Sequence, residues 1–128
     1  MIRANLIWPN ESVDAVIANG SMFYNTLEDT VKLLKNINCV LKNEGVFWAD
    51  WRSIKDSLYG MGEEIEENFY LLEESGREEC TYHFFDKYKL INIYREAGFN
   101  IIAIDTYEYT QNNGKNLSLW FIVNARKM

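Results

Sequence analysis

The chain has 128 residues, of which 48% are hydrophobic and 15% aromatic, and its 19 acidic and 13 basic residues leave a net charge of −6. This composition predicts a single domain spanning residues 1–128 and excludes a largely disordered chain. No apolar run reaches the roughly 18 residues that a transmembrane helix needs, so we expect no membrane partner. The negative charge is repelled by phosphate backbones, so no nucleic-acid partner is expected either.

Cysteine and histidine usage favours a reducing compartment and argues against metal chemistry. Cys39 and Cys80 form no CxxC pair, and the N-terminus lacks the long apolar core of a signal peptide. We therefore expect a cytoplasmic protein in which both cysteines are small buried apolar groups and not nucleophiles. His83 is the only histidine, which excludes a multi-histidine site, so no metal is expected.

The first half of the chain has the pattern of a strand, a helix and a second strand. Residues 14–18 are a short apolar run closed by turn residues, which is typical of a buried strand. A helix capped by Asn25 and Glu28 is predicted next, because apolar side chains recur at Leu27, Val31, Leu34, Ile37 and Leu41. The helix is predicted to end at residues 43–45, before a strand at 46–51. Such a unit crosses over right-handed and indicates an α/β fold with parallel strands and a functional edge at their carboxyl ends.

The second half alternates hairpins with one helix. An irregular loop at 53–62 precedes a predicted hairpin with strands at 68–72 and 79–85 and a turn at Ser75-Gly76. Asp86 is the predicted cap of a helix that ends at Gly98. Two long strands, at 99–109 and 117–125, flank the turn sequence Asn112-Asn113-Gly114 and are expected to pair antiparallel.

Several motifs follow one another in a characteristic order. Residues 5–17 (NLIWPNESVDAVI) are similar to the pattern NLPF-x-(D/N)-x-S-F-D-x-V, and residues 41–47 (LKNEGVF) to LKPGG followed by a hydrophobic residue. Phe84-Phe85-Asp86 and Ala97-Gly98-Phe99 resemble the helix and the AGF sequence that lead into the next strand. Together they resemble the C-terminal half, from the fourth strand onward, of class I S-adenosylmethionine-dependent methyltransferases. The resemblance implies a partial Rossmann-like methyltransferase sheet with parallel strands, an antiparallel C-terminal hairpin and an extra hairpin inserted around residues 68–85.

The same resemblance implies S-adenosylmethionine as the cofactor and a small-molecule methyl acceptor. The glycine-rich loop and the ribose-binding acid of the family belong to its other half, and no GxGxxG-like run is present here. Ile7 and Asn43 also replace prolines of the family motifs. We therefore expect weak or absent cofactor binding by this chain alone, and no activity without the N-terminal half, which a separate glycine-rich chain would have to supply.

Two segments are candidates for the site because both follow strands of the predicted parallel unit. The resemblance places the turn Asn19, Gly20, Ser21 and Met22 against the methionine part of the cofactor, and the alternative is a plain turn. Asp50, Trp51 and Arg52 end the second strand and are candidates for substrate binding. Their alternative is a salt-bridged strand end with a packed tryptophan.

The remaining candidates are aromatic or acidic. Tyr24, Tyr59 and Tyr70 are candidates for an aromatic wall around a cation, or for ordinary packing. His83 is a candidate substrate-binding residue or general base, or a hairpin side chain with one satisfied hydrogen bond. The acidic run at 63–67 either attracts a basic substrate or is a solvated face. No catalytic residue is assigned, because methyl transfer from a sulfonium depends mainly on positioning the acceptor.

The strand from Asp14 to Ala18 bears on assembly. It is central in the family sheet but becomes an edge here, and it carries no lysine or proline to block pairing. We therefore expect a homodimer that forms through this edge or through the N-terminal arm from Met1 to Trp8. Three hypotheses stay open: a methyltransferase portion, a non-catalytic oligomerising remnant, and a small α/β binding module with its ligand at residues 19–22.

Overall fold

The computed structural model describes residues 8–72 and 80–128. These residues form seven strands and two helices in the order β1 (Val13–Ala18), α1 (Leu27–Val40), β2 (Leu41–Ser53), β3 (Glu63–Glu66), β4 (Phe69–Leu72), β5 (Cys80–Phe85), α2 (Lys87–Glu96), β6 (Phe99–Gln111) and β7 (Asn116–Lys127). Neither helix is long and apolar enough to cross a membrane.

Strand β2 is the centre of the sheet. β1 runs parallel to it along one edge, and β7 runs antiparallel along the other, with β6 outside β7. The parallel β1–α1–β2 unit and the antiparallel C-terminal hairpin predicted from the sequence are therefore confirmed. Among the described residues, β1 pairs with β2 alone, so its outer edge is open.

The inserted segment is a three-stranded meander. β4 and β5 pair antiparallel, as predicted, although the turn at Ser75-Gly76 lies outside the described residues. β3 adds a third strand where only an acidic patch was expected. The meander joins the main sheet through two residue pairs, Arg52–Phe84 and Ser53–Phe85, beyond the end of β1 on the same edge of β2.

The boundaries of α1 differ from the prediction at both ends. Thr26, and not Asn25, is the N-cap, and its Oγ1 accepts a hydrogen bond from the Asp29 N–H at 3.2 Å. The helix ends at Val40, because the fully buried Leu41 already pairs with Val13 as a sheet residue. A β-bulge follows, and a Cβ on Gly45 would lie only 2.8 Å from a backbone oxygen. A glycine is therefore required at this bulge, after which β2 pairs regularly with β1.

The predicted ends of α2 are confirmed. Asp86 is the N-cap, and its Oδ1 accepts the Lys89 N–H at 2.7 Å. Gly98 follows the helix with a φ of +90°, a conformation that costs glycine little and other residues more. The prediction that both cysteines are buried is wrong: Cys39 is exposed and Cys80 is only partly buried. Cys39 is exposed because of its position on α1. It follows Ile37 by two positions, about 200° around the helix, and so lies on the outer face.

Both helices of the described residues pack on the same face of the sheet. Phe47, Ala49 and Trp51 of β2 point to that face and form the main core with buried residues of both helices and of β7, including Leu33, Leu34, Ile37, Leu90, Tyr94, Val123 and Ala125. The alternate residues of β2 point the other way, because side chains in a strand alternate between faces. On this open face Val46 and its neighbour Ile17 are 40% and 75% exposed.

Candidate functional site

The two segments singled out from the sequence meet at the carboxyl ends of β1 and β2. The Gly20 N–H donates a 2.7 Å hydrogen bond to Oδ1 of Asp50, thirty residues along the chain. Gly20 has a φ of +66°, and nothing lies within 4 Å of the position that a Cβ would occupy. The predicted proximity of the two segments is confirmed, and the backbone at Gly20 is open to a ligand.

A cavity of about 210 Å³ lies beside Asp50. Asn19, Asp50, Trp120 and Ile122 line it together with two tyrosines of β6, Tyr107 and Tyr109. Tyr107 pairs with Trp120, which in turn pairs with Arg52, the last β2 residue paired with β7. Tyr109 lies two residues further on, where the β6–β7 hairpin extends past that pairing. Neither tyrosine was among the candidates predicted from the sequence. Their alternation along β6 was the available signal, since residues i and i+2 of a strand share a face.

Asp50 is the main polar group of the cavity. The residue is only 8% exposed, and burial raises the pKa of its carboxyl above the ordinary value. The N–H groups of Gly20 and of Asp50 itself, and the charge of Arg52, lower the pKa in part. Among the described residues Asp50 forms no salt bridge with any cation, so its charge is held mainly by backbone dipoles.

Arg52 points into a buried cluster. Its guanidinium carbon lies 4.5, 4.7 and 5.2 Å from the ring centres of Trp120, Tyr82 and Phe23, and Nη1 is 3.2 Å from Oδ2 of Asp56. The carboxylate of Asp56 is fully buried and also accepts two backbone N–H groups. This geometry fits the salt-bridged alternative for Arg52. The guanidinium packs on the ring of Trp120, and Arg52 does not line the cavity.

Trp51 and Met22 are also core residues. Both are fully buried, and the Trp51 indole donates a 2.9 Å hydrogen bond to the hydroxyl of Tyr94 in α2. Trp51 faces the helices because it alternates with Asp50 and Arg52 along β2. The packed alternative therefore describes Trp51, and its side chain is removed from the candidate site. Of the turn at 19–22, Asn19 lines the cavity and Ser21 is part-exposed.

The other predicted aromatic residues form a separate cluster beneath the meander. Tyr59 donates to Oδ1 of Asn68 at 2.7 Å and contacts the ring of Tyr70, while Tyr24 packs on Phe23. None of these tyrosines lines the Asp50 cavity. The three tyrosines are therefore packing residues and do not form an aromatic wall around the candidate site.

His83 lies in the same region and is 2% exposed. Its Nδ1–H donates to the backbone oxygen of Asn25 at 3.0 Å, and its ring stacks on Phe85 at 4.5 Å. Burial lowers the pKa of the imidazole, so the ring is neutral near pH 7. These contacts are those of a satisfied hairpin side chain, and they leave no path to a substrate.

The acidic run has one residue with a structural contact to the helix. Oε2 of Glu66 accepts the Leu27 N–H at 3.1 Å, at the positive end of the α1 dipole. Glu63, Glu64 and Glu67 are exposed, as expected of a solvated face. Among the described residues no group of three or more His, Cys, Asp or Glu side chains is placed to hold a metal ion.

Comparison with known proteins gives similarity in structure only. No protein-family model matches the sequence, and no curated protein matches it significantly. Over 98% of its length the chain is similar to an S-adenosylmethionine-dependent methyltransferase from Methanosarcina mazei, with a TM-score of 0.81 and 20% identity, and it covers 64% of that chain. It is also similar, over 98% of its length, to the 1,6-didemethyltoxoflavin-N1-methyltransferase of Burkholderia thailandensis with bound 1,6-didemethyltoxoflavin and S-adenosylhomocysteine. Here the TM-score is 0.62, the identity 14% and the coverage of that chain 48%.

A third similar structure has a different chemistry. The [4+2]-cyclase SpnF matches 97% of this chain at a TM-score of 0.63 and 16% identity, with 54% of its own length covered. The chain therefore has a partial class I methyltransferase fold and spans about half to two thirds of the length of these structures. The fold prediction is confirmed, and at these identities the fold is what the likeness establishes.

The described residues fit S-adenosylmethionine, the cofactor of this fold family, only in part. The open backbone at Gly20 and the side chain of Asn19 offer contacts at the end of β1. The sequence contains no glycine-rich run of the GxGxxG type that could bind the rest of the cofactor. The cofactor thus needs contacts beyond those that these residues supply.

Proposed function

We propose that this chain is the acceptor-binding portion of an S-adenosylmethionine-dependent methyltransferase with a small-molecule acceptor. The observation that carries the proposal is the cavity beside Asp50, at the carboxyl edge of a sheet whose fold is that of class I methyltransferases. In open α/β sheets, ligands bind outside the carboxyl ends of the strands. A volume of about 210 Å³ suits a small group and not a macromolecule.

In this proposal the residues at the end of β1 and those at the end of β2 have different tasks. Asn19 and the backbone of Gly20 hold the methionine end of the cofactor, which supplies an activated methyl group when bound. Asp50, Tyr107 and Tyr109 orient the acceptor and exclude water from it. Positioning of this kind supplies much of the rate acceleration when the donor is already activated.

The open edge of β1 is the proposed attachment site for the rest of the fold. Two apolar cavities flank the strand, one of about 290 Å³ towards α1 and one of about 410 Å³ on the open face of β2. Residues 15–17 line both of them. A polypeptide that adds a strand here, whether in the same chain or a separate one, would bring the glycine-rich contacts of the cofactor. Without it we expect this chain to be inactive.

A chimera tests the proposal. The N-terminal third of the Methanosarcina mazei methyltransferase, placed ahead of Trp8, is expected to give calorimetric binding of S-adenosylmethionine with a low micromolar dissociation constant, about −8 kcal/mol. The chain alone and the added segment alone are the controls. A chimera with a folded circular dichroism spectrum and no cofactor binding would contradict the proposal. Low micromolar binding by the chain alone would overturn the claim that it is incomplete.

The second candidate is a non-catalytic module that self-associates. The exposed apolar edge of β1 favours it, because such edges pair readily with other chains. In this case two copies would join their β1 edges antiparallel about a two-fold axis, giving the expected homodimer. SpnF, whose described reaction is a cyclisation, illustrates that this fold does not by itself determine methyl transfer.

A further inference from the structure

Among the described residues no cation forms a salt bridge with the carboxylate of Asp50, and the charge of Arg52 acts on it only from a distance. Oδ1 accepts the Gly20 N–H, and Arg52, the nearby cation, forms its salt bridge with Asp56 and packs on the ring of Trp120. A poorly solvated carboxylate is costly unless an opposite charge or hydrogen-bond donors satisfy it. Since Asp50 lines a cavity, a ligand can bring that charge.

The other walls of the cavity are suited to the same kind of ligand. Tyr107 and Tyr109 contribute aromatic rings whose centres lie 5.6 Å apart, whereas the ring of Trp120 already packs on Arg52 and its buried indole N–H has no acceptor among the described residues. Aromatic faces attract organic cations through their quadrupoles, and the attraction grows when water is displaced. A carboxylate and two tyrosine rings in one cavity are a combination suited to ammonium-type groups.

The other charges around the cavity also favour a cationic ligand. Cross-strand pairing sets Asp50, Ile122 and Asp105 in one row, so a second, exposed carboxylate lies about 10 Å away on the same face. The charge of Arg52 is compensated by Asp56 at 3.2 Å. The whole chain carries a net charge of −6, which attracts cations and repels anions.

We propose that the Asp50 cavity binds a small organic cation, with its charged group between the Asp50 carboxylate and the rings of Tyr107 and Tyr109. For the identity of the ligand the inference rests on the proposed function: the acceptor of the methyltransferase is then a small amine that arrives protonated. A sulfonium group has the same recognition chemistry, so the experiment separates the two sources.

The test is a set of NMR titrations of the chain with propylammonium, trimethylsulfonium and the neutral tert-butanol. The reporters are the indole N–H of Trp120 and the backbone N–H of Gly20. We expect saturable shifts with the cations and at least tenfold weaker binding of tert-butanol. Tighter binding of propylammonium assigns the cavity to an amine, and tighter binding of trimethylsulfonium assigns it to the cofactor's sulfonium. Equal binding of tert-butanol, or no shift at tens of millimolar cation, overturns the proposal.

Matched variants separate this site from a general charge effect. Asp50→Asn keeps an oxygen for the Gly20 N–H and is expected to weaken cation binding at least tenfold. Asp105→Asn removes the same charge outside the cavity and should weaken it less than threefold. Tyr109→Leu, on the overhanging hairpin, removes a ring without touching the core. Equal losses for both aspartate variants would contradict the proposal. These probes need no cofactor, so their failure and a failure of the chimera are distinguishable.

Discussion

The carboxylate of Asp50 and the backbone of Gly20 join the ends of two parallel strands through a single 2.7 Å hydrogen bond. This contact fixes the turn after β1 against β2 and leaves one side of the carboxylate facing a cavity lined by aromatic residues. The proposed ligand binding therefore depends on the same side chain as this structural support. The two roles are separable, because the hydrogen bond needs only an oxygen atom, whereas a cation needs a negative charge.

The first prediction separates these roles through stability. Asp50→Leu leaves the part-buried Gly20 N–H without an acceptor and is expected to lower the free energy of unfolding by about 1–3 kcal/mol. Asp50→Asn retains an acceptor and should be less destabilising. Urea denaturation of the two variants measures the difference. Equal losses would mean that the hydrogen bond does not stabilise the turn.

The second prediction concerns the buried ion pair between Arg52 and Asp56. Asp56→Asn removes the carboxylate from an arginine whose side chain is only 12% exposed, leaving a buried charge uncompensated. We expect a loss of about 3–5 kcal/mol in the free energy of unfolding. The matched control is Asp14→Asn, which breaks the exposed pair with Lys42 and should change stability little. Similar losses for the two variants would show that burial does not determine how much an ion pair contributes to the free energy of unfolding.

The third prediction is a pH dependence that comes from His83. Burial lowers the pKa of its imidazole, so the unfolded chain binds a proton more readily than the folded one. Stability from this group is present above its unfolded pKa of about 6.5 and is lost as pH falls towards the folded pKa, by at most about 1.4 kcal/mol per pH unit.

His83→Gln is the variant for this measurement, since glutamine can still donate to the Asn25 oxygen. The difference in unfolding free energy between the original chain and the variant should increase with pH between about 5 and 7. Glu66, Glu67 and Lys89 also act on this imidazole and stay unchanged in both proteins. A difference that is flat across this range would show that the ring is not held neutral by burial.

The fourth prediction tests the proposed association through β1. The chain is expected to sediment as a dimer at tens of micromolar, and Ile17→Lys should shift it to monomer, because an edge lysine blocks strand pairing. Ile102→Lys, at a residue of β6 that is 54% exposed, is the control and should leave the dimer intact. A persistent monomer would exclude the homodimer. A dimer that dissociates only with Ile102→Lys would place the interface on the final hairpin.

Much of the fold was predictable because its signals are local. The apolar run of β1, the periodicity of α1 and the turn sequence Asn112-Gly114 each reflect a burial pattern of neighbouring residues. The meeting of Gly20 and Asp50 also followed from the sequence, since parallel strands end at the same edge. The cap of α1 was misplaced by one residue because Asn25 and Thr26 are both good capping residues, and only the folded chain selects between them.

The composition of the site was decided by tertiary structure. The sequence by itself determined that Asp50, Trp51 and Arg52 end a strand and alternate between its faces. Which face the helices cover depends on the right-handed crossover, and this buries Trp51 and leaves Asp50 beside a cavity. Tyr107 and Tyr109 reach Asp50 only through the register of β6 and β7 and the length by which their hairpin extends past β2. Contacts between residues more than fifty positions apart are set by strand pairing, which no local pattern encodes.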